Sequence, residues 1–334
     1  MGKAALADTA PRSVDEPFFL TRGVVITTED LTLNNWPERA RIAGLTTVGL
    51  HAPKSPRLLV KYMNSDAGHK FLDTCRRLGL AVEYELHAMQ DLLPRELFDK
   101  APELFRMDEK GQRVREWNLC VHSERAMQTV SENAVELAKV LRPTTGRYFY
   151  WGDDGCPWCR CRQCAGLSDS DQSLLVAGRI LEAMRRVDAK AQVAYLAYDN
   201  TLPPPKQIKP KAGVFLEYAP IHRRYDVPFE QAGDAKSRQQ FEMLDANLEV
   251  FGRTNAQALE YWLDASLFSK WKKPAVKVLF DPKVLAADLN TYGRRGIRHV
   301  TTFAVYIDAD YVSRHGEPPL KEYGEQLRRS PFSR

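Results

Sequence analysis

Asp66-Ala-Gly-His-Lys-Phe-Leu-Asp-Thr-Cys-Arg-Arg-Leu78-Gly79-Leu-Ala-Val-Glu-Tyr-Glu-Leu-His87 contains one complete structural unit. Phe71, Leu72, Cys75 and Leu78 fall at helical spacing, and Arg76-Arg77 stand in the last turn, where cations complement the helix dipole. Gly79 suits a left-handed cap, and the β-rich run to His87 reads as a strand. The same order of helix, basic turn, glycine and strand returns at residues 285–306, through Arg294-Arg295, Gly296 and His299. It is a structural rhythm, not a sequence repeat.

Working outward from this unit, strands are expected near residues 24, 46, 82, 148, 193, 214, 258 and 299. Helices are expected at about 37–43, 66–78, 124–141, from Ser168 onward, 235–251 and 285–295. Pro203-Pro-Pro205 leaves no room for a helix between the fifth and sixth strands, and 264–282 is a further irregularity. Strands alternating with helices predict a parallel sheet, and eight of them predict a closed (β/α)8 TIM barrel. The alternative is an open, doubly wound sheet. No Gly-x-Gly-x-x-Gly follows any strand, which argues against dinucleotide binding. Residues 1–16 read as a flexible arm, and 17–334 as one barrel domain with a cysteine-rich insertion at 156–164.

The 334 residues are 44% hydrophobic and 27% charged, a globular balance. Forty-eight basic residues against 43 acidic ones leave a net charge of +5, spread along the chain. That pattern favours neither nucleic-acid nor membrane partners, and no apolar run is long enough to span a bilayer. The first residues lack the hydrophobic core of a signal peptide, so the expectation is a cytoplasmic protein or one whose export signal has been removed.

Polar groups gather where the strands end. Arg147-Tyr-Phe-Tyr-Trp-Gly-Asp-Asp-Gly155 is an apolar strand that stops in two carboxylates, and barrel chemistry sits at such C-terminal ends. Glu217 and Glu260 are carboxylates inside apolar strands, a costly placement without a partner or purpose. Asp153, Asp154, Glu217 and Glu260 are therefore the catalytic candidates. Paired carboxylates with aromatic neighbours suit glycoside cleavage, one acid protonating the leaving oxygen and the other acting at the anomeric carbon. Substrate-binding candidates are Arg22, His51, His87, Tyr198, Trp262 and Tyr306, with Arg223 and Arg224 as a clamp for an acidic sugar. Each has a plainer reading as a hydrogen-bonded structural residue or a solvated basic loop. Asp153 and Asp154 cannot both face inward along a regular strand, so both serve one site only if the chain is already turning at Gly152 and Gly155.

Tyr150-Trp-Gly-Asp-Asp-Gly155, Cys159-x-Cys161-x-x-Cys164, Ser168-Asp-Ser-Asp-Gln172, Ala194-Tyr-Leu-Ala-Tyr198 and Phe215-Leu-Glu-Tyr-Ala-Pro220 together resemble the bacterial family known as domain of unknown function 4838. The resemblance covers about residues 20–310. That family is similar to the barrels of family 20 and family 67 glycoside hydrolases, the β-hexosaminidases and α-glucuronidases. The resemblance thus implies a TIM barrel acting on an oligosaccharide or glycoconjugate. Hexosaminidases end the equivalent strand in Gly-Asp-Glu, the Asp steering the acetamido group and the Glu acting as acid. Here the string is Gly152-Asp153-Asp154, with a shorter second acid. A barrel that binds sugar without cleaving it, and a metal or redox enzyme using the cysteines, are the other readings.

Four of the six cysteines lie within nine residues, as Cys156-x-x-Cys159-x-Cys161-x-x-Cys164. Four soft thiolate ligands suit a closed structural zinc site, with no cofactor needed for catalysis. Four ligands in so short a segment are cramped, and Cys120 is a substitute for Cys156. Buried thiols or disulfides are the alternatives.

Overall fold

A computed structural model describes residues 17–53 and 55–329. The expected arm at 1–16 lies outside the described residues. The described residues form eight strands: β1 Thr21–Thr27, β2 Thr47–Ala52, β3 Ala81–His87, β4 Arg147–Trp151, β5 Gln192–Ala197, β6 Val214–Tyr218, β7 Gln257–Glu260 and β8 His299–Phe303. Each pairs in parallel with the next, and β8 returns to β1 through Thr21↔His299, so the sheet closes into a barrel. Closure excludes the doubly wound alternative.

The helices follow from their caps and apolar faces. Asp66–Leu78 starts on the Ser65 side chain and stops at Gly79 with φ 67°. Asp169–Met184 begins with a reciprocal capping box between Ser168 and Asp171. Glu124–Ala138, Ala235–Phe251 and Pro282–Arg294 complete the long outer helices. The β5–β6 connection holds only the 3-10 turn Asp199–Thr201 among its described elements, as the prolines require. Two strands are shorter than the sequence implied. β7 stops at Glu260 and β8 at Phe303, and Tyr306 turns through φ 68°.

The barrel interior is unusually polar. Glu83 and Glu85 from β3, Arg147 from β4 and Glu217 from β6 are buried and interact across the lumen. Burial raises the pKa of Glu85 and Glu217 above the carboxylate range; Glu217 raises Glu85 further, whereas Arg147 pulls Glu217 down. The Arg147 guanidinium also lies 4.1 Å from the Phe215 ring centroid. Room for Glu85 is left by Gly49, where a Cβ would stand 2.9 Å from Glu85 Oε1 and 3.2 Å from Val25 Cγ2.

Candidate active site

The C-terminal ends of the strands open into a cavity of about 530 Å³. Its floor carries His51 from β2, His87 from β3 and Trp151 from β4, brought level by the registers His51↔Glu85 and His87↔Trp151. Both imidazoles donate Nδ1–H to main-chain carbonyls, His51 to Glu85 at 2.8 Å and His87 to Gly152 at 2.7 Å. Their Nε2 atoms are thereby left for other partners. Burial, reinforced by His87, pushes His51 down to about 3, so it is neutral at any physiological pH.

After β4 the chain turns, and the two aspartates part. Asp153 N donates to Asn118 Oδ1 at 3.0 Å, and the Asp153 carboxylate accepts from Gln90 N at 3.3 Å beside Arg95 at 3.6 Å. Asp154 turns the other way, into the cavity, with Oδ1 3.9 Å from His87 Nε2. The Tyr198 hydroxyl faces the same acid, and burial together with the Asp154 charge holds its proton tightly. Gly155 has φ 59°, and a Cβ on Gly152 would lie 2.9 Å from the Trp158 ring, so the turn depends on both glycines.

Asp264 lines the same cavity as Asp154. Asp264 Oδ1 accepts from Ser266 N at 3.0 Å, Ser266 Oγ at 2.6 Å and Leu267 N at 3.3 Å, which fixes the side chain. Burial raises it to about 6 against those hydrogen bonds. Asp154 and Asp264 both act on the hydroxyls of Tyr198 and Tyr261, so the two acids share one patch of the wall. Trp271, 62% exposed at φ 57°, and Tyr306 stand at the rim. Tyr306 is held there by its N–H to Asp30 Oδ1 at 2.9 Å, and burial raises Asp30 to about 7. Sequence reasoning missed Asp264 and Trp271 as site residues. Asp264-x-Ser266 signals a helix cap and nothing more, and Trp271 sits in a loop without a pattern.

With this geometry in view, residues 12–254 match the family described as Domain of unknown function (DUF4838). The chain belongs to this family. No curated protein matches the sequence. Gan42B, a GH42 β-galactosidase from G. stearothermophilus, superposes with a TM-score of 0.56 at 10% identity, covering 94% of this chain and 57% of that one. The catalytic domain of β-amylase from Paenibacillus polymyxa gives a TM-score of 0.52 at 9% identity, covering 94% and 98%. This DUF4838 chain therefore spans little more than half of the β-galactosidase. What it shares with these glycoside hydrolases is the barrel fold.

Several sequence-derived assignments change in this DUF4838 barrel. Glu217 is not at the mouth: it lies inside the barrel, accepting from Trp151 Nε1 at 2.8 Å and Gln257 Nε2 at 3.2 Å. Glu260 faces the outer helices, because strand alternation turns Leu259 and Tyr261 to the cavity instead. There it meets Arg223 at 3.2 Å and the Tyr292 hydroxyl. Arg223 is wholly buried between Glu260 and Asp288, so it cannot clamp a ligand. Trp262 donates to Asp288 at 2.9 Å in the same network. Arg224 is exposed and pairs with Asp226. Arg22 is at the start of β1, the opposite end of the barrel, bonded to the carbonyls of Gly44 and Phe19. Asp153 is a half-buried clamp and does not line the large cavity. His51, His87, Asp154, Tyr198 and Tyr306 do line it together. Among the cysteines, Cys159, Cys161 and Cys164 converge with Cys120, and Cys156 stands apart.

Proposed function

We propose that this protein hydrolyses a glycosidic bond in an oligosaccharide or glycoconjugate, with Asp264 as general acid and Asp154 as the ionised carboxylate. The observation that carries this reading is the pair of acids on one aromatic-walled cavity, held in different environments. Asp264 is buried and keeps its proton up to about pH 6, as a group that protonates a leaving oxygen must. Asp154 is open to the cavity beside the Tyr198 hydroxyl, where its carboxylate can face a cationic transition state. Trp271 and Tyr306 at the rim offer flat apolar faces for sugar rings. No Lys or Arg is among the described residues of the lining, whereas Glu29, Asp154 and Asp264 are. A neutral or N-acetylated sugar fits that charge better than a glucuronide.

The test is a panel of aryl hexosaminides, glucuronides and neutral glycosides, followed by Asp264→Asn and Asp154→Asn on whichever substrate turns over. General acid catalysis contributes about 10²–10⁴-fold, so Asp264→Asn lowers turnover by that range on a poor leaving group and far less on an activated aryl glycoside. Asp154→Asn lowers both. Sugar binding by calorimetry with no hydrolysis of any panel member would instead identify a binding barrel and end this proposal.

A further inference from the structure

The cysteine cluster takes no part in the cavity, yet its geometry is that of a metal centre. Sγ of Cys120 lies 3.7 Å from Sγ of Cys161 and 3.9 Å from Sγ of Cys164. All four ligand atoms of Cys120, Cys159, Cys161 and Cys164 fall within 4.8 Å of one another. A tetrahedral zinc with Zn–S bonds of about 2.3 Å has sulfur–sulfur edges of about 3.8 Å. Disulfides join sulfurs in pairs at about 2.05 Å, whereas here one sulfur is nearly equidistant from two others. We propose that these four cysteines hold one structural zinc ion.

The surroundings fit four thiolates and one closed coordination sphere. All four residues are buried, which leaves no open ligand position for substrate. Cys159 Sγ accepts from Met107 N at 3.3 Å, Cys161 N at 3.5 Å and Arg113 Nη1 at 3.6 Å. His122 Nδ1 stands 3.2 Å from Cys164 Sγ. Such donors orient thiolate ligands and offset the net negative charge of a four-thiolate zinc centre. On binding, four Zn–S bonds form and four thiol protons pass to solvent.

The centre also explains how two long excursions stay in place. Cys120 lies in the β3–β4 connection, whose residues 88–123 contain only short helical turns and the isolated antiparallel bridges Phe105↔Leu119 and Met107↔Arg113. The other three cysteines belong to the β4–helix connection that carries Asp154. Connections of that length without regular structure are uncommon unless something secures them. Two residues before Cys120, Asn118 accepts from Asp153 N and donates to the carbonyls of Cys156 at 3.0 Å and Pro157 at 3.3 Å. The metal thus acts as a positioning element behind the Asp153–Asp154 turn, and Cys156, with its Sγ on the Asp154 carbonyl at 3.1 Å, is not a ligand.

Metal content of the purified full chain tests this directly. About one zinc per chain is expected in the wild type and in Cys156→Ser, and its loss in Cys120→Ser. Because Cys120→Ser could fail to fold, the wild-type protein is also stripped with a chelator and titrated with Co²⁺ alone. Thiolate-to-cobalt charge-transfer absorption then appears, and Zn²⁺ displaces it and restores the melting temperature. Limited proteolysis should cut residues 88–123 in stripped protein and spare them after zinc is returned. A wild type that carries no metal and takes up no cobalt, two disulfides by mass analysis, iron in place of zinc, or metal kept by Cys120→Ser and lost from Cys156→Ser would each overturn the assignment.

Discussion

Replacing Arg223 with leucine separates a structural arginine from a ligand clamp. The guanidinium is fully buried, 2.5 Å from Asp288 Oδ2 and 3.2 Å from Glu260 Oε1, with Nε 3.3 Å from Glu260 Oε2. It also packs 4.5 Å from the Tyr225 ring centroid and 4.8 Å from that of Phe229. Leucine keeps much of this packing but strands two buried carboxylates, a change that costs about 3–5 kcal/mol. At about 2 °C per kcal/mol, the lower edge for large domains, the melting temperature falls by about 6–10 °C. The deficit depends on pH. Burial has raised Glu260 to about 7 despite Arg223 holding it down, so without the cation it takes a proton still more readily. A raised folded-state pKa stabilises at low pH and loses that contribution as pH rises, so Arg223→Leu should be least damaging near pH 5 and most damaging near pH 8. Scanning calorimetry at the two pH values measures this. A melting temperature within about 2 °C of wild type, together with a raised KM for an acidic sugar, would refute the buried-network argument and restore Arg223 as a clamp.

Asp264, raised to about 6, should appear as a basic limb in kcat/KM, since the protonated form is the active one. Activity then falls as pH rises above that value, and the limb disappears in Asp264→Asn. Trp271→Ala should raise KM about tenfold with little change in kcat, because covering about 50 Å² of sugar face at ~25 cal/mol/Å² contributes about 1.3 kcal/mol. Unchanged KM would remove Trp271 from the binding surface. Gly152→Ala places a Cβ 2.9 Å from Trp158 and 3.1 Å from Asn118 Oδ1, so denaturant unfolding should show a loss of about 1–3 kcal/mol. A silent substitution would mean the turn behind Asp154 yields easily.

The barrel was legible along the chain because its signals are local. Ser65, the helix it caps, the basic last turn, Gly79 and the β-rich run to His87 lie in consecutive residues, and their order alone implies a parallel sheet. His51, His87, Asp154 and Tyr198 could be placed at the mouth for the same reason, as residues at or just beyond strand ends. Which face a residue takes is another matter. Glu260 and Tyr261 are neighbours, and one step of strand alternation sends the carboxylate to Arg223 and the phenol to the cavity. Glu217 looked equally suited to catalysis, but its depth is set by strand stagger around the barrel, which puts it in contact with the Trp151 indole and out of the cavity. Cys120 and Asp264 joined their groups only on folding, from connections whose paths no periodicity describes. Local propensity and pattern determined the elements and their order; side-chain partners far apart in sequence were decided by closure of the barrel and the packing of its loops.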